Sequence, residues 1–217
     1  MEIPLFPLRT VLFPGMPLPL QIFEERYRVM TRELLESDGV FGVLLIREGE
    51  EVGGGAIPYD IGTTAAIEQW QEAPDGRFLL TARGRRRFRL LRMLEPRPYP
   101  FGEVELMDDS EPREDPFAFE LAEQVRSSFP SYFQLALSLT DQWARGMGLP
   151  RTPHALVNFL APWLQAEEFE KQQLLEVPDA RGRVALLADV LNRLIEKTRS
   201  EALHYRLRKY HGFGARN

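Results

Sequence analysis

The sequence predicts an α+β protein, with a strand-rich half over residues 1–110 and a helical half over residues 111–217. Three observations point to this class. Up to about residue 110, short runs of β-forming residues alternate with turn residues. From about residue 111 onward, apolar residues recur at helical spacing. Between the two lies the polar stretch 108–112, Asp-Asp-Ser-Glu-Pro, which is typical of a domain boundary.

The first half contains seven candidate strands and one helix. The strands are predicted over residues 3–8, 17–23, 40–47, 61–72, 77–82, 85–94 and 101–107. Pro-Asp-Gly at 74–76 is a strong turn signal and predicts a hairpin. The helix is predicted over 24–37, because this stretch opens with two acidic residues and stops before Gly39. Three glycines at 53–55 predict a mobile or tight loop.

Capping residues and prolines divide the second half into helices. Asp115 is predicted to cap a helix that Pro130 breaks or kinks, and a second helical stretch follows over 131–145. Another helix is predicted to restart at Thr152-Pro153 and to be kinked or ended by Pro162; it carries Leu156, Phe159, Leu160 and Trp163. A further helix covers 167–176. Asp179 is predicted to cap a long final helix with an apolar stripe.

Composition excludes several classes of protein. The 217-residue chain has a net charge of −5, which argues mildly against a dedicated nucleic-acid binder. It contains no cysteine, so disulfides, cysteine-ligated metals and thiol catalysis are excluded. No apolar run approaches a membrane span, and the uncharged run 10–23 is interrupted by prolines and lacks a cleavage site. We therefore expect no membrane contact and a cytoplasmic location.

Motifs for common catalytic chemistry are also missing. The only lysines are Lys171, Lys197 and Lys209, and none follows a glycine as a phosphate-binding P-loop requires. No nucleophile elbow and no zinc-binding His-Glu-x-x-His motif is present. The three histidines and the many carboxylates are expected to be structural or solvated. We predict a protein without catalytic residues, cofactor or metal, with an unrecognised hydrolase as a third alternative.

One basic stretch supports two interpretations. In a strand, Arg85, Arg87 and Arg89 alternate with Arg86, Phe88 and Leu90. The three arginines could contact the phosphates of RNA. Alternatively, they form an exposed strand face that meets acidic neighbours and blocks edge pairing. The basic, aromatic tail from His204 to Arg216 has a similar pair of interpretations, a nucleic-acid arm or a frayed terminus.

Three segments at the opening of the chain form a recognisable motif, residues 3–8 (IPLFPL), 11–15 (VLFPG) and 18–27 (LPLQIFEERY). This motif resembles the opening of the N-terminal domain of ATP-dependent Lon proteases. Further similarities follow in the family's order at residues 62–67, 74–78, 84–88 and 171–179. The resemblance covers roughly residues 1–200.

This resemblance implies a PUA-like β pseudo-barrel of about six strands with one long inserted helix, followed by a C-terminal helical bundle. In Lon this domain is non-catalytic and helps to recognise unfolded or tagged substrates. The resemblance therefore implies a free-standing protein of this kind, without the ATPase and protease domains. Peptidase activity belongs to full-length Lon, and the resemblance implies none for this chain.

The leading functional hypothesis is binding of unfolded, tagged or specific polypeptides in protein quality control. Phe13, Phe23 and Tyr27 are candidate peptide-binding residues, because they could border an apolar groove between the two halves. The other interpretation is that these aromatic residues only shape an edge strand and a corner. RNA binding through the Arg85–Arg89 stretch is the alternative function. The partner and the oligomeric state are left open.

Overall fold

The computed structural model of the chain describes residues 1–95, 97–111, 115–138 and 148–211, with side chains up to residue 203. The described residues of the first half form one helix and six strands. The helix is α1 (Glu25–Leu35). The strands are β1 (Glu2–Leu8), β2 (Pro17–Ile22), β3 (Val40–Glu48), β4 (Ile57–Glu72), β5 (Phe78–Met93) and β6 (Phe101–Leu106).

The six strands form one mixed sheet in the order β2-β5-β4-β3-β1-β6. Because β6 also pairs with β5, five of the strands close into a ring, and β2 lies outside it as an edge strand. The β1–β3 pair is parallel, whereas the other pairs are antiparallel. The α+β class is confirmed.

Strand β5 differs from its prediction. Two strands were expected over 77–82 and 85–94, but the structure has a single strand, Phe78–Met93, that pairs with β2, β4 and β6. The register between β4 and β5 shifts between Thr63 and Ala65, opposite Gly84. At this bulge, Arg85 and Arg86 of β5 lie opposite the single residue Thr64 of β4, and the strand continues through it. The predicted hairpin at 74–76 is confirmed.

The second half is helical over the residues described. It contains α2 (Pro116–Ser138), α3 (Pro153–Leu160), α4 (Glu168–Glu176) and α5 (Ala180–His211), with a 3₁₀ turn at Ala161–Trp163. The predicted caps are confirmed: the Asp115 carboxylate accepts the Ala118 N–H, and that of Asp179 accepts the Gly182 N–H. Residues 139–147, which include the end of the predicted stretch 131–145, lie outside the described part.

Helix α2 passes through Pro130, so of the two predicted outcomes the break is wrong and the kink stays a prediction. Pro130 is exposed, and because proline has no N–H, the carbonyl of Arg126 one turn earlier receives no hydrogen bond from it. The neighbouring Phe129 and Tyr132 are buried and hold the turns on either side against the core.

Two large apolar clusters organise the molecule. One lies within the first half, where α1 contributes Tyr27 and Met30 to the strand side chains. The other joins the halves, because Val11, Phe13, Leu45 and Ile61 pack against α2, α3, α4 and α5. The segment after β1 therefore lies in the core shared by the two halves. The boundary between residues 110 and 111 stays a prediction.

Candidate functional site

The segment Phe13–Met16 forms a tight turn at the junction of the halves. The Met16 N–H donates to the Phe13 carbonyl over 3.0 Å. Pro14 occupies the second position and Gly15 the third, with φ of +83°. Proline followed by a left-handed glycine is the preferred sequence of a type II turn. The local sequence therefore dictates this turn.

Strand β5 clamps the turn in place. The Gly15 N–H donates to the Gly84 carbonyl over 2.8 Å, and the Gly84 N–H donates to the Met16 carbonyl over 2.9 Å. A Cβ atom at position 84 would lie 2.2 Å from the Phe13 carbonyl oxygen, so only glycine allows this approach. The Arg83 guanidinium donates to the Gly15 carbonyl over 2.9 Å. Together these contacts hold the turn rigidly.

Helix α3 and the 3₁₀ turn face this segment from the other half. The Glu111 carboxylate accepts the backbone N–H groups of His154 and Ala155 over 3.0 and 2.9 Å, which suits the positive end of the helix dipole. At the other end, Pro162 lies within the 3₁₀ turn. Trp163 follows with 52 % of its side chain exposed, edge-on to the Phe133 ring at 5.9 Å.

Between the turn and these helices lies an open groove of about 640 Å³, which we call the junction groove. Its lining is mostly apolar and includes four prolines. One wall is the segment Pro14–Pro17 with Arg83, and the other is formed by Pro150, Ala155, Asn158, Phe159, Pro162 and Trp163. The guanidinium of Arg83 is paired with Glu68 at 2.8 Å, and this hydrogen bond lowers the pKa of the Glu68 carboxyl. A concave, mostly apolar surface of this size is typical of a ligand-binding site.

Behind Asn158 lies a buried arginine. The Arg183 guanidinium donates to the Asn158 Oδ1 over 2.7 Å and to the Leu174 carbonyl over 3.0 Å, and lies 3.1 Å from the His154 Nδ1. Burial lowers the pKa of Arg183 to about 9, so its side chain stays charged at neutral pH. Burial, followed by the charge of Arg183, lowers the pKa of His154, which is therefore neutral.

The three predicted peptide-binding residues do not meet on one surface. Phe13 is fully buried and belongs to the core that joins the halves. Tyr27 is buried in the other cluster, and burial raises its pKa to about 12. Phe23 is 55 % exposed but does not line the junction groove. Sequence reasoning missed Asn158 and placed Trp163 on a helix, although Pro162 was a signal that the helix ends there.

The predicted arginine stripe is interrupted in the structure. Arg85 is exposed and lies 3.4 Å from Glu68, and Arg89 is exposed and pairs in register with Glu105. Arg87 between them is fully buried. Because Arg85 pairs with Glu68 and Arg87 lies in the core, the three arginines form no continuous basic face, and the RNA-binding alternative is not favoured.

Arg87 instead connects the two halves. Its guanidinium donates to the Asp109 carboxylate at 2.8 Å and to the carbonyls of Leu175, Val177 and Pro178 at 2.6, 2.6 and 3.1 Å. These carbonyls lie at the C-terminal end of α4, where a positive charge is favoured by the helix dipole. The side chain is therefore a structural link.

A second apolar surface lies on the outside of the sheet. Trp70 and Leu79 are 53 % and 47 % exposed there, beside the edge strand β2. Pro17 and Pro19 in β2 have no N–H that could donate to β5. They therefore occupy positions whose backbone groups face the open edge of the sheet. Addition of a peptide strand to this edge would therefore lack two of its hydrogen bonds.

Other kinds of site find little support in the part of the chain described. Among those residues, no group of three histidine or acidic side chains could hold a metal ion. Within the same residues, no helix is long and apolar enough to cross a membrane. The predicted tail from His204 to Arg216 lies beyond the described side chains.

Comparison with known proteins agrees with the sequence resemblance. The model of the ATP-dependent protease La (LON) substrate-binding domain matches residues 2–193. The Lon protease of Anaeromyxobacter dehalogenans is 26 % identical over 193 residues, which are 88 % of this chain. The match spans only 23 % of that relative, so the chain covers about a quarter of its length.

Two solved structures share the fold. The Lon N-terminal domain protein from Xanthomonas campestris superimposes with a TM-score of 0.65 and 29 % identity, covering 86 % of this chain and 96 % of its own. The N-terminal domain of the Mycobacterium avium complex Lon protease gives a TM-score of 0.66 at 20 % identity, covering 88 % and 98 %. The second similarity concerns the fold alone.

Proposed function

Because the chain belongs to the family of ATP-dependent protease La (LON) substrate-binding domains, we propose that it binds unfolded or tagged polypeptides through the junction groove, as part of protein quality control. The observation that carries this proposal is the groove itself. It is apolar, about 640 Å³ in volume, and formed by both halves of the molecule. Apolar concavities of this size are the usual binding sites of soluble proteins.

The rigidity of the groove supports binding. Four prolines line it, and the turn at Pro14–Gly15 is fixed by hydrogen bonds to Gly84. Walls that are already ordered lose little entropy on binding. The unfolded partner still loses chain entropy, so we expect an affinity of about micromolar. Contacts that are mainly apolar should depend little on salt.

Two tryptophans provide a matched test. Trp163 lies at the junction groove and Trp70 on the outer sheet face, with nearly equal exposure of 52 % and 53 %. The probe is reduced, carboxymethylated α-lactalbumin, a soluble protein that stays unfolded, titrated by fluorescence anisotropy. Trp163→Ala should weaken binding about tenfold, as expected for a central aromatic anchor. Trp70→Ala should bind like the wild type, and both variants should melt close to it.

Equal binding by Trp163→Ala and the wild type would refute the groove as the site. A loss confined to Trp70→Ala would move the site to the outer sheet face. An affinity that falls steeply between 50 and 500 mM salt would instead indicate charged contacts of the kind that RNA makes.

The remaining parts of the proposal rest on the family and on the sequence. We propose that residues 1–217 act as a non-catalytic binding unit in the cytoplasm, because the match is to a substrate-binding domain and no P-loop is present. We also propose that the closed ring of five strands is a PUA-like barrel and that residues 111–217 form a helical bundle beside it. The ring closure through the β5–β6 pair supports the first of these.

A further inference from the structure

The side-chain amide of Asn158 has a fixed orientation in the junction groove. Its Oδ1 accepts a hydrogen bond of 2.7 Å from Arg183. A guanidinium can only donate, so the oxygen of the amide must face it, and the Nδ2 group is turned away. Among the residues described, Asn158 Nδ2 donates to no protein acceptor, although Asn158 lines the groove. The groove thus contains a donor with a set direction.

Arg183 strengthens this donor. The guanidinium is fully buried, and its three hydrogen-bond partners, Leu174, His154 and Asn158, are all uncharged in the folded protein. A cation held against the oxygen of an amide polarises it and makes its N–H groups better donors. The buried charge of Arg183 therefore makes the Asn158 Nδ2 group a stronger hydrogen-bond donor at the groove.

The surroundings favour a neutral acceptor over an anion. The charged groups that act on Arg183 already have partners. Arg87 pairs with Asp109 at 2.6 Å, and the Glu111 carboxylate accepts the N–H groups of His154 and Ala155. The remaining guanidinium at the groove, that of Arg83, is already paired with Glu68. A neutral oxygen can thus be bound without an unpaired charge.

We propose that Asn158 positions the bound polypeptide in this groove by donating a hydrogen bond to one of its main-chain carbonyls. The apolar walls take the side chains of an extended segment, and the Asn158 Nδ2 fixes its backbone. A carbonyl occurs at every residue of any unfolded chain, so this contact suits a site that accepts many sequences. The inference rests on the proposed function of the groove.

The test exchanges the donor and keeps the structural contact. In Asn158→Asp, a carboxylate oxygen still accepts from Arg183, but the group facing the groove no longer donates. The melting temperature should not fall below that of the wild type, whereas binding of carboxymethylated α-lactalbumin should weaken about tenfold. Wild-type affinity in this variant, together with weak binding by Trp163→Ala, would overturn the role of Asn158 and leave the groove in place. Absence of binding by the wild type would refute the proposed function itself.

A second measurement uses the unaltered protein. The Asn158 side-chain amide protons can be assigned by their absence from the spectrum of Asn158→Asp. They should shift downfield when the protein is saturated with a 12-residue Leu- and Phe-rich peptide, and an unchanged position would overturn the proposal. The peptide should bind equally with a free or an amidated C-terminus. A clear preference for the free carboxylate would show that the acceptor is not a main-chain carbonyl.

Discussion

Replacing Arg87 with alanine should destabilise the protein far more than replacing its exposed neighbour Arg85. Arg87 is fully buried and donates four hydrogen bonds that join β5 to Asp109 and to the end of α4. Arg85 is half-exposed and makes one ion pair with Glu68. The two arginines lie two residues apart on one strand, so they form a matched pair that differs in burial.

The expected magnitude follows from the contacts. Removal of one partner from a buried ion pair costs about 3–5 kcal/mol. Three carbonyl oxygens at the end of α4 would also lose their donor, at about 1–3 kcal/mol for each that water does not reach. We take about 3–5 kcal/mol as the total, because water entering the space left by Arg87 offsets part of the loss. For Arg85→Ala, an exposed pair predicts about 0–1 kcal/mol.

Urea unfolding followed by circular dichroism measures the difference. With a slope of about 2–3 kcal/mol per molar urea, Arg87→Ala should move the midpoint down by about 1–2 M. The urea midpoint of Arg87→Lys should lie between those of Arg87→Ala and the wild type, since an ammonium group cannot replace all the hydrogen bonds of the planar guanidinium. A midpoint for Arg87→Ala within about 0.3 M of the wild type would refute the reasoning. So would an equal loss in Arg85→Ala.

Three further predictions concern the core, the pH dependence and the chemistry. Phe13→Ala should cost about 3–5 kcal/mol in urea unfolding because Phe13 is fully buried, whereas Phe23→Ala should change stability by less than about 1 kcal/mol; equal costs would contradict the burial. The lowered pKa of His154 means that the unfolded chain binds the proton first, so stability should fall as the pH drops below about 6.5. The stability of His154→Asn should fall less steeply than that of the wild type between pH 7 and 5. An unchanged slope would show that His154 does not cause the pH dependence. The purified 217-residue chain should neither hydrolyse ATP nor cleave casein, and activity that follows the protein through several columns would overturn this.

Local signals in the sequence determined much of the fold. The caps at Asp115 and Asp179 and the Pro-Asp-Gly turn at 74–76 were predicted correctly because each depends on a few adjacent residues. The α+β class followed from the change in apolar periodicity near residue 110. Family membership was visible in the opening motif, which is confirmed by the match over residues 2–193.

The tertiary structure alone decided which of these residues are accessible. Arg85, Arg87 and Arg89 look alike in the sequence, yet Arg87 is buried because the end of α4 packs over that point of β5. Phe13 and Trp163 are likewise both aromatic, but one lies in the shared core and the other at the groove. Burial depends on contacts between residues that are distant in the chain, 88 positions apart for Arg87 and Leu175. Local periodicity cannot encode such contacts. The junction groove and the place of Asn158 in it therefore depend on the packing of the two halves against each other.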